Sequence, residues 1–194
     1  MTRTDSSFVT VVSGVPRSGT SMAMQMLEAG GMPVLADHQR AADEDNRKGY
    51  FELESVKRTK HDAAWLSEAP GKVVKVVYML LYDLPADFEY RVLFMRRNLA
   101  EVVASQQAML ARRAEKGASV SADQMVGVFQ RQLEKADDWL AEQPNFEVLD
   151  VDYHQVVSDP QSEAAKIAEF LGTGLDEAKM AAAVDAKLYR NRQS

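Results

Sequence analysis

Short β-branched apolar runs at 8–13, 73–77, 91–95 and 146–150 alternate along the chain with longer stretches of helical periodicity at 19–29, 53–67, 98–115, 122–142, 161–171 and 175–185. A continuous apolar run of strand length suits a strand buried on both faces, and apolar positions repeating every three to four residues suit a helix with one buried stripe. Strands alternating with helices build parallel βαβ units, so the pattern predicts an α/β fold with a central parallel sheet flanked by helices. Asn98 is a good N-cap for the helix 98–115, with Glu101 three residues on, in capping-box spacing. Asp159-Pro160 opens another helix, and Gly172 is placed to stop it. In sheets of this kind ligands sit outside the carboxyl ends of the strands. Three turns are expected there: "SGVPRSGTS", the tail of "VVKVVYM", and "MRRN".

Length and composition narrow the picture. A chain of 194 residues can bury one sizeable core, so residues 1–194 are expected to form a single domain. Lys and Arg number 23 against 29 Asp and Glu, a net charge of −6, which argues against general binding of nucleic acid or anionic membranes and confines any anion site to a local feature. With no cysteine, disulfides, thiolate chemistry and Cys-type metal sites are excluded, and a cytoplasmic location is expected. The first apolar run is too short for a signal-peptide core or a membrane span. No repeat of fixed period and no low-complexity tract stands out.

The chemistry concentrates in residues 10–22, "TVVSGVPRSGTSM". Gly14 and Gly19 have the separation of the phosphate-cradling pattern G-x-x-x-x-G-K-[ST], yet Thr20 stands where the lysine belongs, Ser21 follows, and the cation lies inside the loop as Arg17. A glycine turn from strand into helix points backbone N–H groups outward and adds the positive end of the helix dipole, which together hold a tetrahedral anion. Without the lysine, metal-assisted transfer of a γ-phosphoryl group lacks a principal charge clamp, so the loop suits an anion whose transfer needs no metal. The plainer reading is a tight turn at a helix start without a ligand. Met22, Met24, Met26 and Leu27, one turn further on, read as core filler.

"GVPRSGTS" resembles the 5′-phosphosulfate loop, PKSGTT or PRSGTT, of the sulfotransferases that use 3′-phosphoadenosine 5′-phosphosulfate (PAPS). The resemblance implies a three-layer P-loop NTPase-like fold and metal-free, in-line transfer of a sulfuryl group from PAPS to a hydroxyl or amine, with 3′,5′-adenosine bisphosphate (PAP) as product. It also implies that Gly14, Arg17, Ser18, Gly19, Thr20 and Ser21 hold the 5′ side, with Arg17 supporting the departing phosphate. "RVLFMRRNLAEVVASQQ" resembles the family's strand-helix motif, in which an arginine and a serine eight residues on hold the 3′-phosphate; carried over, these are Arg97 and Ser105, with Arg96 facing elsewhere. A guanidinium fork suits a phosphate dianion, although strand-end arginines are as commonly solvated or paired with surface acids. "NRKGYFELESV", "FEVLDVDYHQVVSDPQSEAAKIAEFLG" and the basic tail "KLYRNR" extend the likeness over most of the chain.

The family pattern is not matched everywhere. Many cytosolic sulfotransferases carry a catalytic histidine in a K-x-H stretch; here Lys75 is kept, but Val77 takes the histidine position. Met22 replaces the aromatic that stacks on adenine, and the R-K-G-x-x-G-x-W-K cofactor loop is absent, leaving Arg190 and Arg192 as substitutes. Arg17, Lys75 and the loop amides are the expected charge-stabilising groups. A carboxylate replaces the missing base. The segment "LADHQRAADEDNRKGYFELE" offers Asp37, His38, Asp43, Glu44, Asp45, Glu52 and Glu54. Resemblance to the G-Y-F-E pattern of bacterial sulfotransferase-like proteins implies Glu52 as the first choice, and resemblance to the glutamate position of tyrosylprotein-type sulfotransferases, near Asp37 or His38, implies Asp37 as the second. His61 and His154 show no metal or catalytic pattern.

Segments 34–66 and 106–125, with Tyr50, Phe51, Trp65, Gln106, Met109 and Arg112, are expected to shape a pocket for a small-molecule acceptor: a carbohydrate, a phenol or a lipid-like alcohol. Two other readings remain open. One is a metal-dependent P-loop kinase or NTPase using Asp83 or Asp150 at a strand end. The other is a non-catalytic module that binds PAPS or PAP. Neither the acceptor nor the oligomeric state is fixed by the sequence.

Overall fold

In a computed structural model, residues 8–37, 49–112 and 120–185 are described. The chain runs β1 (Phe8–Gly14), α1 (Thr20–Ala29), 3₁₀ helices at Glu54–Arg58 and Ala64–Glu68, β2 (Val73–Lys75), a 3₁₀ helix at Tyr78–Asp83, β3 (Glu89–Arg96), α2 (Leu99–Arg112), α3 (Ala122–Glu142), β4 (Phe146–Asp152), α4 (Tyr153–Ser158), α5 (Pro160–Leu171) and α6 (Glu177–Ala182). The four strands form one parallel sheet in the order β2-β1-β3-β4. This is the α/β fold that the alternation of runs predicts.

The inner strands are largely apolar because both of their faces are covered. On one face Val9, Val11, Val74, Val92 and Phe94 pack with Val102 of α2, Ala136 and Leu140 of α3, and Trp65, Leu66, Tyr78 and Leu81 from the 3₁₀ turns. On the other, Val12, Val73, Leu93, Met95 and Val151 pack with α1, α4, α5 and α6 through Met24, Leu27, Val156, Ile167, Leu171 and Met180. Fully burying one such side chain stabilises by about 1.5–3 kcal/mol, so two cores on opposite faces fix a three-layer sandwich. Met24, Met26 and Leu27 are core residues, as expected.

Register sets the site. Gly14 is opposite Met95, Val12 opposite Lys75, and Arg96 opposite Asp152, so the carboxyl ends of all four strands come to one edge of the sheet. Two segments depart from the periodicity. Residues 53–67 form two 3₁₀ turns instead of one helix: Thr59 turns its hydroxyl back onto the Val56 carbonyl and accepts the Trp65 indole N–H, and Asp62 caps Ala64. The run 73–77 stops being strand at Lys75, after which a 3₁₀ helix follows. No helix among the described residues is long and apolar enough to cross a membrane.

Candidate functional site

The turn after β1 is shaped by its glycines. Gly14 has φ +143°, and a Cβ there would meet Ser18 Oγ at 2.6 Å and the Met95 carbonyl at 2.9 Å. Gly19, at φ +106°, would drive a Cβ to 2.5 Å from the ring of Tyr153. Such φ values and such close approach suit only glycine. Gly19 is also the N-cap of α1 and brings no side chain to cap it, the kind of helix start that can take an anion. Ser18 is fully buried, and its hydroxyl has no hydrogen-bond partner. A buried orphan hydroxyl beside an uncapped helix start fits a cradle for an anion. Thr20 and Ser21, the next two residues, are half-buried at the same mouth.

Arg17 departs from ordinary backbone geometry. Its φ is +75°, a conformation that costs a non-glycine residue about 1–3 kcal/mol and persists only where the surroundings hold it. Two contacts hold it: Arg17 Nε donates to Ser105 Oγ at 3.1 Å, and Arg97 Nη1 donates to the Arg17 carbonyl at 3.2 Å. The loop from β1 is thereby joined to the end of β3 and to the middle of α2, and Arg17, Arg97 and Ser105 form one cluster.

Arg97 is itself enclosed. Its side chain is 9% exposed, Nε donates to Glu101 Oε2 at 3.0 Å, and its guanidinium lies 4.3 Å from the centre of the Tyr153 ring. Asn98 caps α2 by accepting the N–H groups of Ala100 and Glu101. Arg96 takes the opposite course, pairing with Asp137 at 2.5 Å and Asp150 at 2.7 Å while stacking on Phe94. The strand ends at Arg96, and of the two arginines it is Arg97 that reaches the loop.

A second group gathers at the β2 edge. Lys75 Nζ donates to the Tyr50 carbonyl and lies 6.0 Å from the Tyr50 ring. Leu35 N–H donates to the Val73 carbonyl, laying the segment before Asp37 along the outer side of β2. Asp37 and Glu52 are neighbours through backbone, Asp37 N–H donating to the Glu52 carbonyl at 3.0 Å. Asp37 Oδ2 also accepts the Glu54 N–H at 2.6 Å, at the start of the 3₁₀ helix. Phe51, beside Glu52, is the other non-glycine residue with positive φ among those described, at +52°, and is buried in the core that also holds α1. Among the described residues, both non-glycine positions of positive φ thus lie in segments that carry candidate residues.

His38, Asp43, Glu44, Asp45, Arg190 and Arg192 lie outside the described residues. His61 and His154 are exposed, and no cluster of His, Asp or Glu among the described residues has a metal-binding arrangement. Asp83 closes a 3₁₀ helix and does not end a strand, and Asp150 is engaged by Arg96.

Sequence reasoning missed Tyr153 and the second role of Glu101. Tyr153 starts α4 directly after β4; burial pushes its phenol above the usual range, an effect that Arg97 opposes, Glu101 reinforces and Arg17 opposes. Its signal was position: an aromatic following a strand whose carboxyl end lies beside the loop.

Residues 89–177 match the profile of the family described as "Sulfotransferase family". Among solved structures, the sulfotransferase domain of the Synechococcus PCC 7002 olefin synthase superposes with a TM-score of 0.53 at 15% identity, covering 88% of this chain and 75% of that one. A sulfotransferase domain from the curacin biosynthetic pathway gives 0.55, also at 15% identity, covering 95% and 86%. No curated protein sequence matches significantly. At such identity the structural likeness speaks for the fold.

Proposed function

We propose that the chain is a sulfotransferase that takes its sulfuryl group from PAPS and passes it to a hydroxyl or amine of a small acceptor, a reading supported by the match of residues 89–177 to the sulfotransferase family and by a fold like that of sulfotransferase domains. The observation that carries this reading is the hydrogen bond from Arg17 to Ser105, with Arg97 on the Arg17 carbonyl. It ties an uncapped helix start, suited to one phosphate group, to a second cationic centre suited to another. A nucleotide with separate 5′ and 3′ anions has that charge pattern.

PAPS supplies an activated sulfuryl group on a phosphate leaving group; the chain's own residues bind, orient and move the proton. Gly14, Ser18, Gly19, Thr20 and Ser21 take the 5′ side through backbone N–H and hydroxyl donors. Arg97 and Ser105 take the 3′ side, and Arg17 lies between them. As the acceptor oxygen forms its bond to sulfur, the bond from sulfur to the phosphate oxygen breaks and negative charge grows on that oxygen. Arg17 and Lys75 are the cations assigned to it, through electrostatic stabilisation that needs no metal.

The acceptor's proton goes to Glu52. Asp37, the second candidate, accepts the Glu54 N–H, and the G-Y-F-E pattern around Glu52 makes that residue the first. A general base contributes about 10²–10⁴-fold. The proposed acceptor is a small sugar, phenol or alcohol; Tyr50 and Phe51, next to Glu52, are themselves buried. A soluble, cytoplasmic enzyme that needs neither nucleic acid nor membrane is consistent with the acidic composition.

The experiment is incubation with PAPS and a panel of phenols, sugars and alcohols, following PAP release. Release that requires one acceptor class supports the enzyme. Tight PAP binding with no release on any acceptor would instead indicate a non-catalytic binding module.

A further inference from the structure

Arg97, just before α2, is followed at four-residue spacing by Glu101 in the first turn of the helix and Ser105 in its middle. Glu101 stands between the other two. Its side chain is 7% exposed and that of Arg97 9%, so both charges have left water. Such a pair is rarely an efficient source of stability, since apolar residues of similar size often serve as well or better. Its geometry gives another reason for it. Glu101 holds the guanidinium by the Nε edge, the Arg17 carbonyl receives Nη1, and the Tyr153 ring covers a face. A planar group gripped on an edge and stacked on a face keeps little rotational freedom.

Building on the assignment of Arg97 to a 3′-phosphate, we propose that Glu101 is a positioning residue: it orients Arg97 and thereby sets how strongly the protein prefers a nucleotide carrying a 3′-phosphate over one without it. The carboxylate touches Arg97, and its effect on ligand passes through that side chain. Electrostatics alone would make the opposite prediction, because removing a negative charge from an anion site should tighten phosphate binding. The two effects therefore separate by sign.

The test is titration of wild-type protein, Glu101→Gln and Glu101→Asp with PAP and with adenosine 5′-phosphate, with thermal unfolding of each variant. Glu101→Gln keeps size but loses the ion pair; Glu101→Asp keeps the charge but draws it back by one methylene. The expected result is a loss of about tenfold in PAP affinity for Glu101→Gln, a smaller loss for Glu101→Asp, and unchanged affinity for adenosine 5′-phosphate in both. Unchanged or tighter PAP binding by folded Glu101→Gln overturns the inference, as does an equal loss for both nucleotides. If Glu101→Gln does not fold, Glu101→Asp decides: selective loss supports positioning, and unchanged PAP affinity overturns it. Wild-type protein that fails to bind PAP would overturn the nucleotide assignment itself, and this inference with it, before any variant is compared.

Discussion

Arg17 Nε donates to Ser105 Oγ at 3.1 Å across 88 positions of sequence, joining the loop that follows the first strand to the middle of α2. The bond makes the two proposed anion subsites interdependent. Residues in one hydrogen-bond network show coupling of about 0.5–3 kcal/mol. A double-mutant cycle on PAP binding with Arg17→Ala and Ser105→Ala is therefore expected to be non-additive within that range, measured by calorimetry; strictly additive losses would show that the two subsites act separately.

Arg97 is expected to carry the 3′-phosphate. Arg97→Ala should weaken PAP binding by about 1.5–3 kcal/mol, the worth of a charged hydrogen bond, and leave adenosine 5′-phosphate little affected. Equal losses for both ligands, measured by titration, would remove Arg97 from the 3′ side. The contrast with Arg96 is part of the prediction: Arg96 is committed to Asp137 and Asp150, and Arg96→Gln should leave nucleotide affinity unchanged.

Glu52→Gln is expected to keep PAP affinity and to lower the transfer rate by about 10²–10⁴-fold. Asp37→Asn should do the reverse: it weakens the cap on the 3₁₀ helix at Glu54–Arg58, costing about 1 kcal/mol in thermal unfolding, with the transfer rate retained. Transfer that survives Glu52→Gln and fails with Asp37→Asn would exchange the two roles.

Gly19→Ala should damage both fold and site. The added Cβ would stand 2.5 Å from the Tyr153 ring at a φ of +106°, so Tyr153 must shift and Arg97 loses the face it stacks on. A loss of about 1–3 kcal/mol in unfolding free energy is expected, together with weakened PAP binding. A variant as stable as wild type would show that the loop accommodates a side chain.

The alternation of apolar runs with helical periodicity was enough to predict the parallel sheet, because both faces of β1 and β3 are covered and neither strand alternates strictly between apolar and polar positions. The loop was equally legible, since Gly14 and Gly19 answer to backbone geometry that only glycine meets. Helix α4 was not legible. Six residues long and capped by Asp152, it has too few turns to show a period. The helix expected over 53–67 failed because Thr59 and Asp62 satisfy the backbone locally and break the run into two turns. Glu101 read as a capping residue; its bond to Arg97 depends on a guanidinium direction that spacing alone does not fix. Tyr153 read as part of the late strand-helix segment, because its meeting with Gly19 and Arg97 is set by strand order and is invisible along the chain.

Calorimetric titration with PAP, with and without EDTA and beside ATP with Mg²⁺, tests the central claim most directly. Tight PAP binding that ignores EDTA, with weak binding of ATP, is the predicted result, because the loop lacks the lysine on which metal-assisted phosphoryl chemistry relies. Mg²⁺-dependent ATP binding with no affinity for PAP would contradict the two-subsite account and return the loop to a kinase or NTPase reading.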